Sequence, residues 1–377
     1  MRITRYHLAA TKDQIWDFEE TPLDKVNLLV GDSGTGKTRF LNTILNFGKQ
    51  AVAEKLRFPG DWDVSFEIGG VGYRWTIRIV NDKDKHSDTH VENERLIRID
   101  RPDKPILLRD KSGSFFGTEK LPRLATDIST LTLLKEEEAV RDIHRGFRAI
   151  SARRFFGDEL GENFSFRSVP PPIIARLRQT RDLLDVQEAD IGFHYRMHIL
   201  KESHPQLYSE VLRLYKEAFP YIEDFGVFNF QDVMDTVSLP FRSPVFCIKE
   251  RNIGSWIPVS DISSGMQKIF LLVLDTLLLS GGGVLMVDEY ENSLGINAIN
   301  FLPDLLYKIQ SDCQFIITSH HPYIINSIPL ESWRVFHRQG LSVKIRSGTD
   351  LKAKFGKSRQ EHFIQLINDP FFNEGIE

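Results

Sequence analysis

The run Val26 to Val30 reads as a short buried strand, followed at once by the glycine-rich GDSGTGKT and then by the helix-like RFLNTILNFGKQAVAEKL. Strand, loop and helix therefore follow one another without a gap. Apolar residues next alternate with polar ones, at Val64, Phe66 and Ile68 and, after the Gly69-Gly70 turn, at Tyr73, Trp75, Ile77 and Ile79. This period of two predicts antiparallel hairpins from Asp61 to about Phe116. From Thr126 to Phe156 the period becomes helical, with apolar residues three and four apart in LKEEEAVRDIHRGFRAI. A second helical stretch is expected from about Ile173 to Phe219, entered after the breaker Pro170-Pro171-Pro172. Neither stretch keeps heptads long enough for an extended coiled coil. The last third returns to alternation: a helix after Ser264, a strand at VLMVD, a helix near Asn297 to Gln310 and a strand at QFIIT. Such alternation predicts an α/β fold with a mostly parallel sheet covered by helices. Both chain ends are expected to build one head, residues 1–120 with an antiparallel β subdomain and residues 226–377, with residues 121–225 inserted as a helical lobe.

Composition narrows the field. A chain of 377 residues with 41% hydrophobic positions has ample material for a packed core. A net charge of −4 and a pI near 6.3 argue against coating nucleic acid or membrane by bulk charge. Cys247 and Cys313 stand far apart and outside any Cys-x-x-Cys, so neither a disulfide framework nor zinc is indicated, and a reducing cytoplasm fits best. The opening MRITRYHLAA lacks a secretory apolar stretch. The most apolar segment, IFLLVLDTLLLSGGGVLMV, is interrupted by Asp275 and three glycines and reads as buried helix plus strand, with no membrane partner.

Gly31, Asp32, Ser33, Gly34, Thr35, Gly36, Lys37 and Thr38 match the phosphate-loop pattern, Gly-x-x-x-x-Gly-Lys-Thr, between the strand and the helix it requires. Glycines let backbone N–H groups turn toward phosphate oxygens, and the helix adds its positive end. Lys37 is expected to reach the β and γ phosphates of ATP, and Thr38 to ligate Mg2+. The loop alone suits a kinase or a GTPase equally well.

Downstream motifs choose among these. Val284 to Val287 end in Asp288-Glu289, as a buried strand delivering carboxylates at its C-terminal edge does. Asp288 is expected to hold magnesium, and Glu289 to orient or deprotonate the attacking water. Before that strand, Ile262-Ser263-Ser264-Gly265-Met266-Gln267 opens a long apolar helix, where Ser263 and Gly265 would form an anion-binding nest. This hexapeptide resembles the Leu-Ser-Gly-Gly-Gln signature of ABC-type ATPases, or its Leu-Ser-x-Gly variants in SMC and RecF relatives, and places the chain with the RecF, SMC and OLD-type group. Glu291-Asn292-Ser293-Leu294 resembles that group's D-loop, with Gly295 standing where relatives often carry His. FIITSHHPYIIN places His320 where the group has its switch histidine, with His321 at the serine position. A glutamine sensor is missing, since no Gln lies between Gln50 and Gln179, and Asp127, Ser129 or Thr130 falls near its place.

The resemblance spans Gly31 to Pro322. It implies a P-loop ABC-type head that closes as a homodimer or higher homo-oligomer, sandwiching ATP between the phosphate loop of one chain and the signature of the other. It leaves two classes of function open. In one, a sensor or scaffold holds a separate effector such as a nuclease or toxin, as in antiphage systems; in the other, a RecF-like repair ATPase acts on DNA. A small-molecule P-loop kinase is disfavoured because it needs neither signature nor D-loop. His144, Arg145, Arg148, Arg153 and Arg154, near Phe147 and Phe155, with Arg176, Arg178 and Arg181 beyond, would suit nucleic acid or equally a solvated face. The tail residues Phe363, Ile364, Ile367, Phe371 and Phe372 form an apolar set for a partner or for the chain's own head.

Overall fold

A computed structural model describes residues 1–81, 89–154, 159–164, 166, 168–233, 243–309, 311–351 and 361–376. The chain divides into two compact units. The first comprises Met1–Arg153, Gly282–Tyr290 and Asp312–Glu377, and the second Arg154–Gly281 and Glu291–Ser311. The Thr126 to Arg153 stretch thus belongs with the phosphate loop, and the signature helix with the lobe. No helix among the described residues is long and apolar enough to cross a membrane.

The first unit is an α/β layer built on one continuous sheet. Its parallel end places Ile150–Arg153, Gly283–Val287, Cys313–Thr318, Val26–Val30 and Trp333–Gln339 side by side in that order. Val26–Val30, Gly283–Val287 and Cys313–Thr318 are buried along their whole length, as strands covered on both faces must be. Beyond Ser342–Ser347 and Asp17–Pro22 the sheet passes through Arg2–Ala9 into the antiparallel meander Gly60–Ile68, Val71–Asn81, Thr89–Arg98, Pro105–Asp110 and Gly113–Phe116. The expected antiparallel subdomain is therefore an extension of the same sheet.

Helix Lys37–Val52 lies against this sheet through Phe40, Ile44 and Phe47, all fully buried. Phe40 meets Tyr6, Phe18 and Phe336 edge-on, and Phe47 packs on Trp75 and Phe147 with ring centroids 4.9 and 5.4 Å apart. Burying each such ring stabilises the unit by about 2–3 kcal/mol. This core seats the helix whose first residue is Lys37.

Two local expectations need correction. Helix was expected through Phe156, but Glu138–Arg148 ends and Ile150–Arg153 becomes an edge strand, because it pairs in parallel with Val284 to Val287. Phe147, grouped with the basic cluster, is 2% exposed and belongs to the aromatic core. Phe155 lies outside the described residues. The basic cluster itself is divided between the two units, and Arg178 is ion-paired with Glu202 at 2.7 Å.

In the second unit, helices Pro171–Gln179, Leu183–Glu188, Phe193–Ser203 and Pro205–Ala218 accompany a three-stranded sheet of Ile222–Asn229, Pro244–Glu250 and Ile257–Pro258. Helix Ser264–Leu278 is buried on nearly all sides, as its apolar composition demands. Its polar residues are paired: Gln267 Nε2 donates to Val259 O and Ser260 O, and Gln187 Nε2 to Asp275 Oδ1. His194, 1% exposed, donates from Nε2 to Phe164 O and accepts the N–H of Phe246 at Nδ1, and burial pushes its pKa down to about 4.

Candidate functional site

The loop after Val30 depends on its glycines. Gly36 caps helix Lys37–Val52 with φ 100°, a left-handed conformation that strains any residue with a Cβ. A Cβ on Gly31 would stand 2.9 Å from Thr35 Oγ1 and 3.0 Å from Phe336 Cβ and O, so only glycine lets the loop lie this close to the strand Trp333–Gln339. Thr35 closes the turn internally, its Oγ1 donating to Asp32 O at 2.8 Å. Asp32, Ser33, Gly34 and Thr38 face solvent.

Lys37 is buried, and its ammonium donates to Gly31 O at 2.7 Å and Asp32 O at 2.8 Å. Burial pushes its pKa down to about 8, while the charges of Asp288, Asp32 and Glu289 oppose the shift. The ammonium and the two carboxylates thus share one electrostatic neighbourhood. They arrive on the two strands that flank Cys313–Thr318, since Gly283–Val287 pairs with one edge of that strand and Val26–Val30 with the other.

Thr318 holds the carboxylate pair in place, although its position at a strand end does not single it out in the sequence. Its Oγ1 donates to Asp288 Oδ1 at 2.6 Å and accepts the N–H of Glu289 at 2.7 Å, and its carbonyl accepts the N–H of Tyr290 at 2.9 Å. Asp288 is 3% exposed and Thr318 1%. Glu289, half-buried, has φ 48°, a turn these three bonds enforce. A buried carboxylate fixed by a hydroxyl, with a second beside it and a hydroxyl on the helix's first turn, is an oxygen donor set suited to magnesium.

His320 is exposed two residues beyond Thr318. His321 serves the backbone instead: its Nδ1 accepts the N–H of Tyr323 at 3.2 Å as the cap of helix Pro322–Ser327. Ser129 and Thr130 are committed to local structure. Ser129 Oγ caps helix Thr130–Leu133 through the N–H of Thr132, and the Thr130 N–H donates to the buried Glu94 at 2.7 Å. Asp127 accepts the N–H of Leu56 at its carbonyl.

Ser263 and Gly265 belong to the second unit. Ser263 Oγ accepts the N–H of Met266 at 3.3 Å and caps helix Ser264–Leu278. A Cβ on Gly265 would stand 2.7 Å from Ser293 O, so glycine permits the Glu291 to Leu294 turn to rest on the helix start. Lys268 Nζ, buried, donates to Asn292 O at 2.9 Å and ties the two together. Ser263, Ser264, Gly265 and Ser293, with Phe219 and Tyr221, line a cavity of about 590 Å³.

The family model described as "AAA domain, putative AbiEii toxin, Type IV TA system" matches residues 26–326. Among solved structures, the chain is similar to an SMC head bound to the C-winged helix domain of ScpA, at 12% identity over 92% of this chain and 98% of that chain, with a TM-score of 0.48. It is similar to the SMC head domain from Thermotoga maritima at 13% identity, 92% and 99% coverage and a TM-score of 0.44. A Pyrococcus furiosus SMC head with an extended coiled coil, bound to the C-terminal domain of ScpA, gives 12%, 92% and 94%, and 0.46. No curated protein matches the sequence.

Proposed function

This chain belongs to the AAA-domain family so described, and on that premise we propose that it binds ATP with magnesium at the Lys37 loop and hydrolyses it. The observation that carries the reading is the grouping of Lys37, Asp288, Glu289 and Thr318 at the strand ends of one sheet. The Gly31 to Thr38 loop takes the phosphates, and Lys37 neutralises them. Asp288 and Thr38 are the residues that hold magnesium, which supplies charge neutralisation on the phosphate oxygens. Glu289 takes or orients the proton of the attacking water, and His320 contacts the γ-phosphate.

The signature residues serve the ATP of a second copy. Ser263 and Gly265, backed by the Glu291 to Leu294 turn, line an accessible cavity at the start of a helix, an arrangement that supports an anion-binding role in trans. The ATP-closed dimer or larger oligomer then acts as sensor and scaffold for a separate effector protein, a nuclease or toxin, in cell defence. The family's description, which names a putative toxin of a Type IV TA system, supports a role in defence over a DNA-repair clamp.

Mixing variants tests the composite site. Ser263→Arg and Lys37→Ala homodimers lack hydrolysis, whereas the mixture regains part of it because one composite site per heterodimer stays intact. Normal turnover by Ser263→Arg alone removes the signature from the site. DNA-stimulated ATPase without a co-purifying protein would replace the scaffold reading with the repair reading.

A further inference from the structure

The C-terminal segment runs beside the phosphate loop. After helix Pro370–Asn373, Gly375 O accepts the backbone N–H of Arg338 at 2.8 Å, and Ile376 pairs with Arg338 in an isolated parallel bridge. Arg338 is the penultimate residue of the strand Trp333–Gln339, which pairs in parallel with Val26–Val30, the strand leading into the loop. The Arg338 guanidinium in turn donates from Nη1 to Gly34 O, inside the loop, at 2.8 Å. Its central carbon lies 5.7 Å from the Trp16 ring, and Trp16 stands 3.4 Å from where a Cβ on Gly36 would be.

Contacts around this point continue along the loop. A Cβ on Gly34 would meet Ile376 Cδ1 at 3.2 Å, and one on Gly375 would meet Thr35 Cγ2 at 3.4 Å and Asp32 Cβ at 3.5 Å. The segment is anchored upstream as well. His337 Nδ1 donates to Phe371 O at 3.1 Å, their rings stack at 4.8 Å, and the Arg346 guanidinium sits 3.9 Å over the Phe371 ring.

We propose that Arg338 is a positioning residue for the phosphate loop, and that the docked segment Pro370 to Ile376 and Arg338 together hold that loop in the shape that receives nucleotide phosphates. The physical reason is conformational entropy. Gly34 and Gly36 take positive φ in a solvent-facing loop, and glycine loses more freedom on ordering than any other residue. The Gly34–Thr35 peptide is pinned at both ends, its carbonyl by Arg338 and its N–H by Asp32 O at 3.3 Å. A loop ordered in advance spends less binding free energy on its own ordering.

The inference rests on the proposed nucleotide site, so its test carries Lys37→Ala as a control. Magnesium-ATP is titrated into Arg338→Gln, Arg338→Lys and Ile376→Asp, and steady-state hydrolysis and nucleotide-free melting are measured in parallel. Loss of one hydrogen bond donated by a charged group predicts a Kd and KM for ATP raised about ten- to a hundredfold in Arg338→Gln, with kcat and melting close to wild type. Arg338→Lys, which keeps a cationic donor, recovers part of the loss. Ile376→Asp, at a side chain already 46% exposed, weakens binding in the same direction and keeps the test alive if Arg338→Gln misfolds. Unchanged or tighter ATP binding in Arg338→Gln and Ile376→Asp, with Lys37→Ala binding lost, overturns the positioning role and leaves the nucleotide site standing. ATP binding unaffected by Lys37→Ala overturns the site itself.

Discussion

Replacing Thr318 with valine removes one hydroxyl and almost no volume, and it strikes the point where the strand Gly283–Val287 presents its two carboxylates. Thr318 Oγ1 donates to Asp288 at 2.6 Å and accepts from the Glu289 N–H at 2.7 Å, with Thr318 and Asp288 both nearly inaccessible. A hydrogen bond to a buried charged group contributes about 1.5–3 kcal/mol, and an N–H left without a partner costs about 1–3 kcal/mol more. Together the change should cost the first unit about 3–5 kcal/mol. At about 2–4 °C per kcal/mol for a unit of this size, the nucleotide-free melting transition falls by about 6–20 °C. Turnover falls too, because Asp288 and the Glu289 turn lose their common support. Thermal melting followed by circular dichroism, with phosphate release measured below the transition, checks both. Thr318→Ser keeps the hydroxyl and should retain most of the stability and activity. A Thr318→Val protein that melts within about 1 °C of wild type and hydrolyses ATP normally would refute the reasoning, since the predicted loss is several times larger.

Three further outcomes follow from the same geometry. Lys37 has its pKa pushed down to about 8 by burial, and bound phosphate favours its ammonium, so ATP affinity should hold level below pH 7 and fall as pH rises through about 8. Titrations between pH 6 and 9.5 read this out, and affinity rising with pH would contradict it. Glu289→Gln should bind ATP like wild type yet lose at least about a hundredfold in turnover, since an amide cannot take the proton; single-turnover assays decide. Gly265→Ala sets helix propensity against sterics: alanine favours a helix by about 1 kcal/mol, but its Cβ would meet Ser293 O at 2.7 Å. The clash should win, lowering melting and turnover together, and a variant that melts higher than wild type refutes the close contact.

Much of the site is legible in sequence because its parts are local. The Val26 to Val30 run, the glycine loop and Lys37 are contiguous, and each motif sits where one strand or helix changes into the next. Thr318 was missed because a threonine ending an apolar strand is ordinary, and only the sheet brings it to Asp288, thirty residues away. Arg338 reaches Gly34 across 304 residues of sequence, a contact no local pattern encodes. The same holds for Ile150–Arg153, which reads as helix until Val284 to Val287 offers it a parallel partner. The pairing of Ile222–Asn229 with Pro244–Glu250 is not legible in the sequence because it is set by tertiary context. Fold class was easier, since it depends on the alternation of elements rather than on their boundaries.

Calorimetric titration of magnesium-ATP into the full chain, alongside Lys37→Ala, tests the nucleotide site most directly. The expected result is saturable binding of one ATP per chain, weakened at least about tenfold in Lys37→Ala, because the phosphates lose their buried ammonium while the fold survives. No saturable heat from the wild-type protein, or equal affinity in the variant, would contradict the assignment of Lys37 and its loop to ATP.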